Sequence, residues 1–337
     1  MVVVCGARAQ CLDSPMTGYE WFKLVLLAPL GVLRFALIFG SIFVCFLAIN
    51  VLLAHRRHDD MSPLKGPLKW AVQCCIQGTA WCICLGCGII PRIKGWENMR
   101  QAEKDRAVII FNHVSLLDAY MICAFFLPSG VAKASVATIP CIGRISQAMS
   151  LIYVERSQKN VNDVHNRFSR RGGNAKRITD RAKDGDYPLV LISPEGTTAH
   201  GHGLLTFNKG AFIPGQPVLP MLIRYPYKHL NMGWGMISGT LWFLVRMTTQ
   251  FYNSCHLELL PVYYPSEEEK RDPVVYMKNV RTYMAEALGI PTYDQGVARG
   301  FQLTKAGVHV NWDGKTVNNL DAYLEIVARS AAAKKEE

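Results

Sequence analysis

The stretch RAVIIFNHVSLLDAYMICAFFL, residues 106–127, decides the fold that we expect for this chain. It opens with a short apolar run, residues 106–112, that is typical of a buried strand, and it closes with an apolar segment, residues 118–127, that indicates a helix. A strand that leads into a helix is the unit from which parallel sheets are built. The sequence therefore predicts an α/β domain at this point.

The same alternation continues along the chain. Short apolar runs predict further strands, and polar or amphipathic segments between them predict helices. The strands are expected at residues 150–156, 187–193, 217–225 and 255–265, and the helices at residues 166–185 and 272–289. The last helix begins at an Asp-Pro pair and ends at Gly289, which are ordinary helix boundaries. We expect a mixed, mostly parallel sheet covered by helices, in a domain that occupies residues 92–300.

The N-terminal part of the chain has a different character. Residues 35–54, FALIFGSIFVCFLAINVLLA, carry no charge, and a helix of about 20 residues rises about 30 Å, the thickness of the hydrocarbon layer of a bilayer. We therefore expect a membrane-embedded helix within residues 1–69, which also contain a basic linker. A buried core helix is the alternative, but the segment shows no polar face at the helical period.

A second apolar stretch, residues 70–91, contains two glutamines and three glycines and is less suited to a span. Basic residues flank both of its ends, and the positive-inside rule would place both groups in the cytosol. They can share one side only if the stretch does not cross, so we expect one span at residues 35–54 followed by an interfacial or re-entrant segment. Its five cysteines, from Cys74 to Cys87, could bind a metal, carry a lipid or pack; the absence of paired C-x-x-C spacing favours packing.

Composition narrows the classes of partner. The net charge of +11 favours an anionic partner, such as nucleic acid, an acidic membrane surface or a phosphate-bearing substrate. Half of the residues are hydrophobic, which is high for a soluble protein and low for a multi-span transporter. The eleven cysteines show no disulfide-like spacing and no secretory signal opens the chain, so we expect reduced thiols that face the cytosol or are buried.

Two titratable residues follow the first predicted strand. If His113 and Asp118 were both helical they would lie about 140° apart and would not meet. However, residues 115–118 match a capping box with Ser115 as the N-cap, which would leave His113 in the preceding turn. A carboxylate in the first helical turn can bond one imidazole nitrogen and leave the other free as a general base. The alternative is that Asp118 is only a helix cap and His113 only a loop residue.

A second constellation lies at residues 191–201, LISPEGTTAHG, where a predicted strand runs into a turn. Gly196 allows a tight turn whose N–H groups could form an anion-binding nest. Thr197 adds a hydroxyl donor, and Glu195 could grip a substrate hydroxyl or an arginine. An ordinary turn is the alternative.

Two basic residues could contact a phosphate. Arg156 ends the strand predicted at residues 150–156, and arginine is suited to bidentate contact with phosphate. Lys133, in VAKASV, is a similar case. The alternative for both is an ordinary surface charge.

Taken in order, these motifs resemble those of the glycerolipid acyltransferase family. The resemblance covers roughly residues 88–290, and the surrounding sequence is most similar to the lysophosphatidylcholine and lysophosphatidylethanolamine acyltransferase branch. The four matching motifs are N-H-x-x-x-x-D at 112–118, an apolar strand that ends at Arg156, Pro-Glu-Gly-Thr at 194–197 and an apolar segment around Pro220.

The resemblance implies the glycerolipid acyltransferase fold and a membrane-bound enzyme that acylates a lysophospholipid from acyl-CoA. It implies that His113, oriented by Asp118, takes the proton of a glycerol hydroxyl. It further implies that four residues hold the phosphate and glycerol end of the lysophospholipid: Arg156, Glu195, Gly196 and Thr197. We add Lys133 to these candidate binding residues. Acyl-CoA is a co-substrate, and neither a cofactor nor a metal is expected. The segment VNWDGKTVNNLD, residues 310–321, lacks the ligand spacing of an EF-hand, so calcium control is not expected.

Several alternatives remain open at this point. A lysophosphatidic acid acyltransferase is the nearest one. Rivals from other classes are a nucleic-acid binder, a non-catalytic membrane scaffold and a metal-dependent hydrolase that uses His113, Asp118, His200 and His202. The membrane segment argues against nucleic acid. Nothing in the sequence indicates the oligomeric state.

The C-terminal tail, residues 301–337, ends in AAAKKEE. Lys334 and Lys335 resemble the dilysine signal that retains membrane proteins in the endoplasmic reticulum. We therefore expect an endoplasmic reticulum membrane protein whose catalytic domain and C-terminus face the cytosol. A solvated, frayed helix end is the alternative.

Overall fold

The computed structural model describes residues 14–57, 60–154, 174–199, 201–233 and 239–293, together with a few positions after residue 317. The helices within these ranges are α1 Gly18–Leu26, α2 Ala28–Leu52, α3 Gly66–Gly86, α4 Glu97–Lys104, α5 Asp118–Phe125, α6 Ile142–Ala148, α7 Asn174–Lys183, α8 Thr240–Thr248, α9 Glu267–Arg271 and α10 Pro273–Leu288. The strands are β1 Ile89–Lys94, β2 Val108–Phe111, β3 Ser129–Lys133, β4 Ile152–Val154, β5 Val190–Ile192, β6 Val218–Arg224 and β7 Asn253–Leu259.

The seven strands form one sheet in the order β1-β7-β6-β2-β5-β3-β4. The pairing of β6 with β7 is antiparallel, and every other pairing in the sheet is parallel. The prediction of a mixed, mostly parallel sheet is confirmed, and each predicted strand lies in it. The sequence did not predict β1 and β3. The former continues the apolar segment that precedes it, and the latter, SGVAK, contains few residues that favour strands.

Helices cover both faces of the sheet, because the central strands are apolar on both sides. Along β2, Ile109 and Phe111 belong to a core with α3, α5 and α8, while Val108 and Ile110 belong to a core with α7 and α10. This alternation follows from the two-residue period of a strand. Strands that are buried on both faces are expected in parallel sheets.

Helix α2 is, among the described residues, the one helix that is long and apolar enough to cross a membrane. Its buried residues Gly31, Ile38, Cys45 and Ile49 are spaced by seven, seven and four positions and form one stripe. The rest of its surface is largely exposed and apolar. The predicted apolar helix is therefore present, at Ala28–Leu52.

Helix α2 contacts the α/β domain at both of its ends. Near its start, the Arg34 guanidinium donates to the carbonyl of Thr248 at the end of α8, over 2.8 Å. After its end, the Leu53 carbonyl accepts a hydrogen bond of 2.7 Å from buried Arg144 in α6. The helix thus lies along the domain for most of its length.

Helix α3 packs between α2 and α5 and leads directly into β1. The close packing requires Gly86, because a Cβ there would lie 2.5 Å from Cγ1 of Ile38 on α2. Within the cysteine cluster of this helix, Cys84 and Cys87 are buried in the domain core while Cys74 is exposed. The predicted segment 70–91 is thus a helix followed by the start of the sheet.

Candidate active site

The loop after β2 is fastened to the neighbouring strand by an asparagine. The buried side chain of Asn112 donates to the carbonyl of Ile223 and accepts from the N–H of the same residue, each over 2.8 Å. It thereby replaces a pair of backbone hydrogen bonds with β6 at the point where β2 ends. This fixes the position from which His113 begins.

His113 and Asp118 lie in direct contact. Nδ1 of His113 is 2.8 Å from Oδ2 of Asp118, which also accepts the N–H groups of Val114 and Ser115 over 2.7 and 3.0 Å. A carboxylate that receives these donors accepts from the imidazole, so we assign the proton to Nδ1. Within the described part of the chain Nε2 has no hydrogen-bond partner, and the side chain is 27% exposed. Nε2 is therefore free to act as a base.

The start of α5 differs from the prediction. The helix begins at Asp118 with Leu117 as its N-cap, so the assignment of Ser115 as N-cap was wrong. Half of the expected capping box is present, because the Ser115 N–H donates to the Asp118 carboxylate. The Ser115 hydroxyl instead accepts the N–H of Leu117 at 3.4 Å. The Asp118 side chain still points back towards His113, as predicted.

The second oxygen of Asp118 has a partner that the sequence did not suggest. The hydroxyl of Tyr225, the residue directly after β6, donates to Oδ1 over 2.5 Å. Both side chains are buried. Burial and the nearby Asp118 carboxylate raise the pKa of Tyr225 well above its ordinary value, so the hydroxyl stays protonated. No motif signals this contact, because 107 positions separate the two residues.

Glu195 connects the two loops of the site. It is fully buried, and its two oxygens accept the N–H of His113 over 2.9 Å and the N–H of Leu205 over 3.0 Å. Burial raises the pKa of Glu195 to about 7, although both hydrogen bonds act in the opposite direction. The carboxylate thus faces backbone rather than open space. Its contacts among the described residues are those of a residue that positions His113, and the predicted grip on a substrate stays a prediction.

The turn after β5 lies beside His113. The N–H of Ala199 donates to the His113 carbonyl over 2.6 Å, and Gly196 adopts a positive φ of 69°. Thr197 and Thr198 are half-buried, and their N–H groups make no hydrogen bond within the described residues. This turn therefore holds two unused backbone donors within two positions of its contact with the His113 backbone, and the anion-binding nest stays a prediction.

Of the two residues predicted to contact phosphate, the structure describes Lys133. Lys133 ends β3, which is two strands from β2 in the sheet, and its side chain is exposed. At about 4.8 Å per strand, this places its backbone roughly 10 Å from β2. Arg156 lies outside the described residues. Strand β3 runs parallel to β5, and β5 to β2, so Lys133 lies at the carboxyl edge of the sheet, where His113 also lies.

No cluster of three or more metal-binding side chains occurs among the residues that the structure describes. Of the histidines considered for a metal, His202 is instead 2.9 Å from the Tyr227 hydroxyl through Nε2, and His200 lies outside the described residues. Burial raises the pKa of Cys123 to about 12 and that of Cys255 further, so these thiols near the site stay neutral. Neutral buried thiols are poor nucleophiles.

The largest cavity that we describe lies away from these residues. It encloses about 230 Å³ between α3, α4 and the starts of β2 and β5, with Lys69, Arg106 and Asp186 among its polar walls. These positions belong to the amino edge of the sheet, opposite His113. The cavity therefore does not include the candidate site residues His113, Asp118 and Glu195.

Comparison with known proteins assigns the segment that contains these residues to a family. The profile of the family described as Acyltransferase matches residues 91–224, which include His113, Asp118 and Glu195. This segment is an acyltransferase domain. Outside it lie α1, α2 and α3 at one end and β7 with α8 to α10 at the other.

Relatives of known name match most of the chain. Lysophospholipid acyltransferase LPEAT2 of Arabidopsis thaliana is 33% identical over 295 residues, which are 86% of this chain and 51% of that protein. Lysophosphatidylcholine acyltransferase 2 of Homo sapiens is 30% identical over 336 residues, covering 92% and 58% of the two chains. Lysophosphatidylcholine acyltransferase of Drosophila melanogaster is 34% identical over 274 residues, covering 80% and 49%. The chain thus spans about half the length of the curated relatives it matches.

A solved structure has the same fold. The crystal structure of the 1-acyl-sn-glycerophosphate acyltransferase PlsC from Thermotoga maritima superposes with a TM-score of 0.53 and 18% identity, over 79% of this chain and 98% of that one. At this identity the likeness concerns the fold alone. The predicted family fold, with its mixed, mostly parallel sheet, is therefore confirmed.

Proposed function

We propose that this chain transfers an acyl group from acyl-CoA to a lysophospholipid of the lysophosphatidylcholine or lysophosphatidylethanolamine type. The observation that carries the proposal is the 2.8 Å contact between His113 Nδ1 and Asp118 Oδ2, which leaves Nε2 free at the edge of the acyltransferase domain. The names of the relatives support this choice of acceptor over lysophosphatidic acid.

The reaction needs one base, which then serves as an acid. Nε2 of His113 removes the proton of a glycerol hydroxyl while the oxygen attacks the thioester carbonyl. Asp118 stabilises the imidazolium that forms. The new C–O bond is made, the C–S bond breaks, and the imidazolium returns its proton to the departing CoA sulfur. No acyl-enzyme is required.

The negative charge that develops on the thioester oxygen needs hydrogen-bond donors. The N–H groups of Thr197 and Thr198 are suited to this role, because they have no partner within the described residues and lie within two positions of the Ala199–His113 contact. Gly196 enables the turn that orients them through its positive φ. Glu195 acts by holding the His113 backbone next to this turn.

The phosphate and the CoA moiety are anionic, and the carboxyl edge of the sheet offers cations for them. Lys133 is exposed at this edge and makes no ion pair among the described residues. Arg156, which the sequence places two positions beyond β4, would provide a bidentate contact. We assign both residues to the binding of phosphate groups, together with Gly196 and Thr197.

The acceptor is a membrane lipid, and α2 with its apolar surface is the feature that attaches the enzyme to the bilayer. Arg34 and Leu53, which hydrogen bond with the domain near the two ends of α2, are about 30 Å apart along the helix. A helix fastened in this way to one folded domain does not cross a bilayer that the domain stays outside. We therefore propose that α2 lies within one leaflet, which replaces the span predicted at residues 35–54.

This arrangement agrees with the predicted location on the cytosolic face of the endoplasmic reticulum, where acyl-CoA is available. Lys334 and Lys335, the proposed retention signal, lie outside the described residues. The cytosolic orientation also matches the positive charge that flanks α2 and α3.

The experiment that tests this function is a product assay with purified protein. The protein in detergent micelles is incubated with acyl-CoA and one lysophospholipid at a time, and the products are identified by mass. We expect a diacyl phospholipid from lysophosphatidylcholine or lysophosphatidylethanolamine together with free CoA. Product from lysophosphatidic acid alone would assign the chain to the other acceptor class, and no product from any acceptor would contradict the proposal.

A further inference from the structure

The Asp118 carboxylate is surrounded by donors on both oxygens. Oδ2 receives His113 and two backbone N–H groups, whereas Oδ1 receives the hydroxyl of Tyr225 over 2.5 Å. Asp118 has no exposed surface, and Tyr225 is 7% exposed. Water therefore does not replace the phenol if its hydroxyl is removed, and Oδ1 would be left without this donor.

We propose that Tyr225 is a positioning residue that acts on His113 through Asp118. The phenol holds Oδ1, so that the carboxylate plane keeps Oδ2 directed at Nδ1. It also withdraws negative charge from the carboxylate, which limits how strongly Asp118 stabilises the imidazolium. The contact thus keeps His113 oriented before the reaction. The effect of this positioning on turnover rests on the proposed function. The hydrogen bond between Tyr225 and Asp118 is independent of it.

Titratable groups face this pair from several elements. Tyr225 follows β6, Glu195 follows β5, Cys255 lies on β7 and Cys84 lies on α3. Glu195 and the two cysteines are unchanged in the variants below, so their contribution is the same in each. Only the hydroxyl at position 225 differs.

Removal of the Tyr225 hydroxyl should shift the titration of His113 in a direction that can be predicted. In Tyr225→Phe the charge on Asp118 is no longer shared with the phenol, so the carboxylate attracts the imidazolium more strongly. The titration of His113 in the variant should then move to higher pH than in wild type. At a given pH less of the histidine would be the free base, and the acid side of the rate profile should move in the same direction.

The kinetic test uses a matched control. Tyr153 is also buried, and its hydroxyl lies 2.6 Å from the Ser146 hydroxyl, away from His113. We expect Tyr225→Phe to lower kcat about tenfold or more even at a pH where His113 is the free base, because Asp118 no longer holds the imidazole in its orientation. KM for both substrates should stay within about twofold, and Tyr153→Phe should leave kcat and the pH profile near wild type. Equal pH profiles for wild type and Tyr225→Phe would overturn the proposal.

A second measurement does not depend on activity. The protein is labelled with ¹³C at the Cε1 carbon of histidine, the His113 signal is assigned from its loss in His113→Ala, and its chemical shift is followed against pH. The midpoint should rise in Tyr225→Phe and stay in place in Tyr153→Phe. An unchanged midpoint in a folded Tyr225→Phe protein contradicts the proposal even if no acyl transfer is observed, whereas a raised midpoint without any transfer contradicts only the proposed function.

If Tyr225→Phe does not fold, 3,5-difluorotyrosine at position 225 retains the hydroxyl and makes it a stronger donor. The carboxylate charge is then withdrawn further, and the His113 midpoint should fall below that of wild type. The same substitution at Tyr153 serves as the control. A midpoint that does not respond to the acidity of residue 225 would show that the phenol does not act through Asp118.

Discussion

Glu195 joins the two loops of the site through its backbone contacts, and this has a cost in stability. A carboxyl group is taken fully out of water, and among the residues that the structure describes it has two N–H donors but no opposite charge in hydrogen-bond contact. The pKa of Glu195 is consequently raised to about 7 in the folded protein, mainly by burial. Such a group is more easily protonated in the folded chain than in the unfolded chain.

This makes the stability of the protein fall as the pH rises. Below about pH 4.5 the Glu195 carboxyl is protonated in both the folded and the unfolded chain. Between about pH 4.5 and pH 7 it is ionised in the unfolded chain but still largely protonated in the folded chain, so a rise in pH favours unfolding. The Glu195 contribution, on the order of 1–3 kcal/mol of unfolding free energy, should be lost over that range. Glu195→Gln should remove this part of the pH dependence while losing one hydrogen bond, since an amide NH2 cannot accept.

The measurement is the melting temperature in detergent between about pH 5 and pH 8. Glu269→Gln is the control, because Glu269 is also a buried carboxylate. Burial tends to raise its pKa, but hydrogen bonds from Ser266, Tyr263 and Asn279 outweigh this and lower it. Glu269→Gln should therefore not reduce the decline of the melting temperature with rising pH. Parallel curves for wild type and Glu195→Gln would contradict this account.

The junction between β1 and α4 depends on a close backbone approach. Gly95 has a positive φ of 71°, and a Cβ at this position would lie 2.1 Å from the carbonyl oxygen of Leu259 at the end of β7. The Asn98 side chain donates to the same carbonyl over 2.9 Å. The first helix after β1 is therefore held against the neighbouring strand by contacts that leave no room for a side chain.

We expect Gly95→Ala to destabilise the protein by about 2–4 kcal/mol, because the clash involves backbone and the φ is unfavourable for alanine. Gly185→Ala is the matched control, since a Cβ there meets nothing within 4 Å. It should leave the melting temperature unchanged or slightly higher. Similar melting temperatures for the two variants would show that the junction can relax.

The elements that the sequence predicted best are those with local signals. Helix α10 begins after Asp272, whose side chain accepts the N–H of Val274, and it ends at Gly289 in the left-handed conformation. Both boundaries can be derived from neighbouring residues. Strands β1 and β3 lack such signals, because their stability comes from pairing with strands that are distant in the sequence.

The same distinction applies inside the site. The contact between His113 and Asp118 is local, and the sequence predicted it. The partners of Glu195 and the role of Tyr225 depend on how β2, β5 and β6 lie side by side, which residue spacing does not encode. Arg156 and the C-terminal tail remain predictions, since they lie outside the described residues.

The attachment of the chain to the membrane gives a prediction about the two ends of α2. If α2 lies in one leaflet, exposed positions before and after it, such as Gly18 and Ser62, face the same side. A membrane-impermeant maleimide should label Gly18→Cys and Ser62→Cys in sealed microsomes, each above the level of the parent protein. We choose a Cys74→Ser parent, because Cys74 is exposed.

A spanning helix would give a different result. One of the two introduced cysteines would then react only after detergent opens the vesicles. That outcome would restore the predicted span and contradict the contacts that Arg34 and Arg144 make in the structure.

The central claim is that His113 is the base of an acyl transfer, and one measurement tests it directly. The rate of diacyl phospholipid formation from acyl-CoA and lysophosphatidylcholine is compared for wild type, His113→Ala and His256→Ala, the last a half-buried histidine on β7. We predict that His113→Ala lowers the rate by about a hundredfold or more while the melting temperature stays close to wild type, and that His256→Ala retains its activity. A folded His113→Ala protein that forms product at a near-normal rate would contradict the account.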